Sequence, residues 1–251
     1  MKRLKKIAGL VVGLWLFGAV PVAATDVNLW ETAFNLNGDA VPLYAWGDPT
    51  PVTVPALPAG FAMDLSGFNF DTGLGTVSIR FSPGAAGSYY VAGYFDHEID
   101  EEENTYYNET GWAMGAPNVG QSWEIDEPGW GNPDTAYYGD IYSNAMAGQL
   151  DSLVFYDAVD GWFNPADFDD VAMAMGWDFS LSGDLEFAII DFILSETAPT
   201  SGFYLVHHDP DSAGNLYFSS SLDISAIPEP GTLLLLGGGF VGLVLLRRLR
   251  K

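Results

Sequence analysis

Carboxylates are the side chains of this sequence whose type and spacing could do chemistry. Two segments bring several of them close together in the sequence, FDHEIDEEEN and WEIDEPGW. In an extended strand every second residue lies on one face, so alternating carboxylates stand about 7 Å apart and repel one another unless solvent or a cation lies between them. We predict a solvated acidic loop here, with a Ca2+ site as the alternative, because calcium binds about six to eight oxygens of the kind that these segments supply. The candidate ligands are Asp96, Glu98, Asp100, Glu124 and Asp126.

A further polar segment, DPDSAGN, contains Asp209, Asp211 and Asn215. Asp-Pro and Ala-Gly are turn-forming pairs, so we predict a turn there rather than a metal site. The neighbouring histidines His207 and His208 point to opposite faces if they lie in a strand, which argues against a metal site formed by this pair. We therefore assign the histidines no chemistry.

The sequence lacks the patterns that many catalytic sites leave. It contains no Cys, and it has no G-x-S-x-G, phosphate-binding loop or dinucleotide-binding fingerprint. Two carboxylates hydrolyse glycosides only at a specific separation, which a sequence so rich in Asp and Glu does not reveal. We predict that the protein is not an enzyme.

Tryptophans support an alternative function. Four of them lie in Gly-rich acidic segments, where they either stack on sugar rings or pack beneath long loops. Sugar stacking would make the chain a carbohydrate-binding module or a glycoside-active exported enzyme. The four residues are Trp112, Trp123, Trp130 and Trp162.

Charge is divided very unevenly along the chain. Eight of the nine Lys and Arg lie within six residues of one end or the other. Residues 25–226 therefore hold one Arg, Arg80, and no Lys against 32 of the 33 acidic residues, a formal charge of −31. Because phosphate binding depends on Lys and Arg, this composition excludes nucleic acid as a partner.

The middle of the chain predicts strands and turns. VAMAMGWDFSL, residues 171–181, alternates large apolar with small or polar residues, as in a half-buried strand; a helix beginning at Pro165 is the alternative for its first residues. LEFAIIDFIL, residues 185–194, is apolar on both faces and predicts a strand covered on both sides. FAMDLSGFNF and TVSIRF, joined by DTGLG, predict two paired strands. We expect about seven to nine strands in one all-β domain, residues 25–226, folded as an antiparallel β-sandwich of jelly-roll or immunoglobulin-like type.

The first 24 residues have the three parts of a secretory signal peptide. Four cationic residues precede an apolar run over residues 7–20, and small residues precede Ala24. We predict cleavage after Ala24 by signal peptidase. The apolar run is shorter than the roughly 20 residues that a spanning helix needs, which favours removal over retention.

The last 25 residues, 227–251, combine three features in a fixed order. Pro228-Glu229-Pro230 is followed by sixteen uncharged, mostly apolar residues and then by a basic end. As a single transmembrane helix the apolar part is about 24 Å long, against a hydrocarbon core near 30 Å, so it is a marginal span. The basic residues that flank the membrane are Arg247, Arg248, Arg250 and Lys251.

This order of triplet, short Leu/Gly helix and RRLRK resembles the PEP-CTERM sorting signal of exported bacterial proteins. The resemblance implies recognition by a membrane-embedded exosortase, cleavage near Pro228-Glu229-Pro230, and delivery to the envelope or extracellular matrix in bacteria that make exopolysaccharide. Through FDHEIDEEENTYYNETG, GQSWEIDEP, MGWDFSL and GFYLVHHDPDS, residues 25–226 also resemble an uncharacterised type of PEP-CTERM protein.

We therefore expect an exported surface or matrix protein. Its precursor would be anchored in the inner membrane only transiently, through the tail, and its mature form would lie at the cell envelope or outside the cell. Expected partners are signal peptidase and exosortase during export, and exopolysaccharide afterwards.

Overall fold

The computed structural model describes residues 26–45, 54–100, 109–128, 139–154, 170–183, 185–226 and 247. These ranges contain twelve strands and one short helix. The strands are β1 Val27–Leu36, β2 Asp39–Ala45, β3 Phe61–Phe68, β4 Gly75–Phe81, β5 Gly87–Ile99, β6 Thr110–Met114, β7 Gln121–Asp126, β8 Leu153–Val154, β9 Ala172–Leu181, β10 Glu186–Ser195, β11 Tyr204–Asp209 and β12 Gly214–Ala226, and the helix is α1 Ile141–Ala147.

The strands form two six-stranded sheets. Sheet 1 has the order β2-β1-β5-β9-β7-β8, and sheet 2 has the order β3-β4-β10-β12-β11-β6. Within the described ranges every strand pair is antiparallel except the two-residue pairing of β7 with β8. This mostly β, antiparallel-rich arrangement is consistent with the predicted sandwich.

The predicted number of strands was too small. Residues 61–81 form the predicted pair β3 and β4, and residues 172–181 form β9. The strands β1, β2, β6, β7 and β8 are additional, and no clean alternation marked them: β2 contains a Pro, β7 has two acidic residues, and β8 is only two residues long. Pairing with long central strands holds such segments extended in spite of their composition.

The two sheets meet through one hydrophobic core, to which both contribute alternate residues. Phe95 of β5 lies edge-on to Phe34 at 5.6 Å and to Phe218 at 5.1 Å between ring centroids, and both partners are fully buried. Phe192 of β10 contacts Phe34 at 5.7 Å. Buried aromatic rings contribute most to such a core, at about 1.5–3 kcal/mol each by transfer.

Strands β9 and β10 reverse the coverage predicted for them. β10 is buried on one face only: Ile190 is inaccessible whereas Ile193 is 38% exposed. The prediction that β10 is covered on both sides was therefore wrong. The first half of β9 is buried on both faces, because α1 covers the outer face of sheet 1 there.

Helix α1 was not predicted. It packs on the outer face of sheet 1. Ala172 and Ala174 of β9 are small enough to let the helix lie close, and Ile141 and Ala145 are buried against them. The helix ends at Gly148, whose φ of 70° is left-handed and whose N–H bonds back to the last turn. A second, smaller apolar cluster therefore lies outside the main core.

Three predicted features lie outside the described residues: the signal peptide with its cleavage at Ala24, the helix beginning at Pro165, and the apolar tail from residue 227 to 246. Among the residues that the structure does describe, no helix is long and apolar enough to cross a membrane.

Candidate metal centre

The structure places the predicted metal ligands in separate groups. Glu124 and Asp126 lie on β7, whereas Asp96 and Glu98 lie on β5, and β9 runs between these two strands. All four alternate with residues that face the core, so they share the outer face of sheet 1. The sequence did not show that a third strand separates the two acidic segments.

The first acidic segment is not a solvated loop where the structure describes it. Asp96 and Glu98 are 5% and 4% exposed. Asp100 follows β5 in a left-handed conformation with φ of 57°, and its Oδ1 accepts a hydrogen bond from the backbone N–H of Asp26 at 3.1 Å. Asp100 therefore joins the end of β5 to the residue before β1, and it lies apart from Glu124 and Asp126 on β7.

Glu124, Asp126 and Asp140 form the carboxylate cluster. Their ligand oxygens all lie within 4.8 Å of one another. Glu124 and Asp126 are two residues apart on β7 and project from the same face, while Asp140 immediately precedes α1. Glu124 and Asp126 are buried and Asp140 is exposed, so the cluster opens to solvent on one side.

Hydrogen bonds fix the orientation of these carboxylates. Asn144 Nδ2 donates to Glu124 Oε1 at 3.0 Å and to Asp140 Oδ1 at 2.8 Å. The backbone N–H of Asp151 donates to Glu124 Oε2 at 2.8 Å, and that of Asp140 donates to Asp126 Oδ2, also at 2.8 Å. Neutral donors hold three negative groups together, but they leave the like charges uncompensated.

Gly139 allows the loop before α1 to approach β7 this closely. A Cβ at residue 139 would lie 2.7 Å from Asp126 Oδ2, closer than side-chain carbons come to such an atom. Only a residue without a side chain leaves Asp140 where its backbone N–H reaches Asp126.

Burial changes the acidity of the cluster. The pKa of Glu124 is raised to about 7: burial raises it most and the charges of Asp126 and Asp140 add to this, while the hydrogen bonds from Asp151 and Asn144 act in the opposite direction. A bound cation would remove this cost, because it favours the charged carboxylate. The ligand set consists of oxygens alone, which suits Ca2+ or Mg2+ rather than a metal that prefers nitrogen or sulfur.

Asp140 was missed in the sequence, although a signal for it was present. In DIYSNAMAG an Asp precedes an apolar helical pattern that ends in Gly, which is typical of a short helix with its cap residue. The Asp140 side chain makes no capping hydrogen bond, however, and its carboxylate faces Asn144 instead.

The two neighbouring histidines point to opposite faces of β11, as predicted. His207 is fully buried, and its Nε2 lies 2.6 Å from Oε2 of the buried Glu109. His208 is half-buried on the outer face of sheet 2, edge-on to Trp112 at 5.7 Å between centroids. Burial lowers the pKa of His207 to about 3, so this imidazole is neutral.

The segment DPDSAGN forms a turn between β11 and β12, as predicted. Asp209 Oδ1 accepts the N–H of Asp211 at 3.0 Å, and Oδ2 accepts the N–H of Ser212 at 2.9 Å. These bonds occupy the Asp209 carboxylate in the manner of an Asx turn.

The tryptophans do not form a common surface in the described part of the chain. Trp112 is 38% exposed on β6. Trp123 is half-buried and packs on Phe203 at 5.6 Å, at the edge of the main core. Trp130 and Trp162 lie outside the described residues.

Fold and site together define an acidic, two-sheet β protein with a candidate cation site on the outer face of one sheet. Comparison with protein families matches residues 226–251 to the PEP-CTERM protein-sorting motif. No curated protein and no solved structure matches the chain. The chain therefore carries a PEP-CTERM sorting motif, which confirms the resemblance seen at Pro228-Glu229-Pro230. The motif implies an exported, membrane-anchored precursor that exosortase processes.

Glu124 is expected to make stability depend on pH when no metal is bound. Its folded pKa of about 7 exceeds its ordinary value of 4.5, so its contribution to stability is fully present below pH 4.5 and is lost as the pH rises through 7. Glu124→Gln, which resembles the protonated form, should gain stability relative to the wild type across this range. Urea denaturation in chelator from pH 4 to pH 8 measures the difference.

Glu196→Gln, at an exposed position, is the control: its free energy of unfolding should differ from that of the wild type by the same amount at every pH. A constant difference between wild type and Glu124→Gln at every pH would contradict the assigned burial of this carboxyl.

Proposed function

We propose that this chain is the precursor of a non-enzymatic surface or extracellular-matrix protein. Exosortase sorts it through the tail, and the mature sandwich binds Ca2+ at the carboxylate cluster and, through that ion, exopolysaccharide. The sorting motif at residues 226–251 supports the route, and the carboxylate cluster is the observation that carries the binding activity.

The tail is proposed to be a removable label rather than a permanent anchor. Its sixteen apolar residues give about 24 Å of helix against roughly 30 Å of hydrocarbon, so it holds the membrane weakly. Arg247 and Arg248 extend the span by reaching the interface, and the basic end favours the cytoplasm. The acidic domain then lies outside until the chain is cut near Pro228-Glu229-Pro230.

Replacing this triplet with three alanines should block processing. The variant would remain in the membrane fraction with Lys251 as its last residue, whereas wild-type protein at the cell surface would end near residue 228. Mass spectrometry of both C-termini measures the outcome. Asp223→Ala, an exposed change shortly before the triplet, should be processed normally. Finding Lys251 on wild-type protein at the cell surface would refute the label.

Calcium binding at the cluster is supported by charge as well as by geometry. Residues 25–226 carry a formal charge of −31 and attract cations over long distances. Three convergent carboxylates supply part of a calcium shell, and water or sugar hydroxyls complete it on the open side next to Asp140. One ion can therefore contact protein and polysaccharide together.

Calcium is expected to raise the melting temperature of the wild type. At a free concentration 100 times the Kd the stabilisation is about 2.7 kcal/mol. Asp126→Asn should abolish most of it, because the amide keeps an acceptor for the N–H of Asp140 but removes the charge. Asp178→Asn, exposed on the neighbouring β9, is the matched control and should respond like the wild type. Equal calcium shifts in all three proteins would exclude the cluster as the binding site.

A second candidate function is direct glycan binding by the outer face of sheet 2. Trp112 and Met114 of the edge strand β6 are 38% and 44% exposed. The register places Tyr204 and Tyr217 on the same face, with their rings 6.0 Å apart. Aromatic faces of this kind stack on sugar rings. The net negative charge favours a neutral glycan over an acidic one.

Retention on immobilised exopolysaccharide separates the two candidates. Direct stacking predicts retention that survives chelator, disappears in Trp112→Ala and persists in Leu185→Ala, which removes an apolar side chain elsewhere that is more exposed, at 58%. Cation bridging predicts retention that chelator abolishes and that Trp112→Ala leaves intact.

A further inference from the structure

Asp96 is a buried carboxylate on the outer face of sheet 1 whose charge has no evident compensation. It is 5% exposed, and its Oδ1 is buried with no hydrogen-bond partner among the residues that the structure describes. Its neighbours on β5, Phe95 and His97, face the core, so Asp96 points the other way. A buried acceptor without a partner destabilises the fold, and more so when it is charged.

Other carboxylates surround Asp96. Glu31 is its register partner on β1, which brings the two Cβ atoms within about 5.5 Å of each other. Glu98 lies two residues further along the same face of β5, and Asp170 lies two residues before Ala172, the partner of Asp96 on β9. Glu98 and Asp170 are 4% and 9% exposed, so three acidic groups here are nearly removed from solvent.

A second orphaned polar atom lies on the same face. The Tyr94 hydroxyl, two residues before Asp96, is fully buried and makes no hydrogen bond within the described part of the chain. The Tyr94 ring is held edge-on by Tyr142 of α1 at 5.2 Å, so the hydroxyl cannot turn out into solvent without unpacking the helix. Two buried oxygens that have no partner among the described residues, beside a group of carboxylates, form a set of acceptors that a cation could satisfy.

The chain offers no cationic side chain to take this place. Between residues 25 and 226 the one Lys or Arg is Arg80. Arg80 belongs to β4 of sheet 2, where its guanidinium lies 4.1 Å from the ring of Phe187. His97, the histidine nearest in sequence, faces the core, and burial lowers its pKa to about 3, so it is neutral.

Protons are the remaining alternative to a metal ion. Burial raises the pKa of Asp96 well above its ordinary range, and the charges of Asp170, Glu98 and Glu31 raise it further. Either the group is protonated, or a cation binds and keeps it charged. The two cases differ in stoichiometry and in what a neutral substitute does.

We propose that Asp96, Asp170 and Glu31 bind a second calcium ion, with the Tyr94 hydroxyl beside it. The site is distinct from the carboxylate cluster: Asp96 and Asp126 flank Ala172 from opposite sides, so their Cα atoms stand two strand spacings apart, roughly 10 Å. All of its donors are oxygens, which fits Ca2+ and not a thiolate or imidazole metal. This inference does not depend on the proposed function, because each ion has its own ligands.

Calcium stoichiometry tests the proposal. Equilibrium dialysis of the full chain in detergent, with the bound metal counted by atomic emission, should give two ions for the wild type and one each for Asp96→Asn and Asp126→Asn. Asp191→Asn, half-buried on sheet 2, is the matched control and should bind two. Tyr94→Phe keeps the ring packed on Tyr142 and should weaken one of the two affinities, which also covers the case in which Asp96→Asn fails to fold.

The outcomes of this experiment separate the two sites. One ion lost in Asp126→Asn but none lost in Asp96→Asn and no change in affinity in Tyr94→Phe would overturn this inference and leave the cluster standing. One ion lost in Asp96→Asn but none in Asp126→Asn would support this inference and exclude calcium binding at the carboxylate cluster. If Asp96→Asn instead stabilises the metal-free protein and leaves two ions bound, Asp96 holds a proton and the inference is wrong.

Discussion

Uncompensated negative charge is the constraint on which the arrangement of sheet 1 depends. With one Arg and 32 acidic residues between positions 25 and 226, carboxylates here cannot be neutralised in pairs with Lys or Arg as in most domains. On sheet 2 Asp64 and Asp223 stay exposed to water, whereas the buried Asp209 accepts backbone hydrogen bonds from its own turn. On sheet 1 helix α1 covers the outer face, and Asp96 and Glu124 are buried with neutral donors or like charges as neighbours. Part of the electrostatic cost of this fold therefore lies on the outer face of sheet 1, where a cation would relieve it.

The hydrophobic core between the sheets offsets the destabilisation that the buried carboxylates cause. Phe34, Phe95, Phe192 and Phe218 interlock across the two sheets, and long antiparallel ladders hold their strands in register. The smaller apolar cluster beneath α1 adds contacts on the far side of sheet 1, through alanines that give little area but a close fit. Removal of charge from solvent is thus a consequence of the same packing that stabilises the outer layer.

Alternation in the sequence was enough to predict β3, β4 and β9, because a period of two sustained over many residues fits a strand and does not fit a helix. It failed for β10, where the residues that face solvent are as apolar as those that face the core, such as Ile193 and Ile190. The spacing of Glu124 and Asp126 was enough to predict that they share one face of a strand. Asp140 reaches them from a separate segment, the loop before α1, which the spacing does not reveal. Contacts of that kind depend on which strands become neighbours, and no local pattern encodes the order β5-β9-β7.

Strand β12 has a consequence for how the chain folds and bears load. It lies between β10 and β11, and its last residue, Ala226, still pairs with Glu186 where the sorting motif begins. Sheet 2 therefore lacks β12, one of its inner strands, until nearly the whole chain has crossed the membrane. This order of synthesis discourages folding before export is complete. Force applied to the tail along β12 would act directly on this strand. It would load in shear the ten residue pairs from Glu186–Ala226 to Ser195–Tyr217, so these pairs would have to break together rather than one at a time.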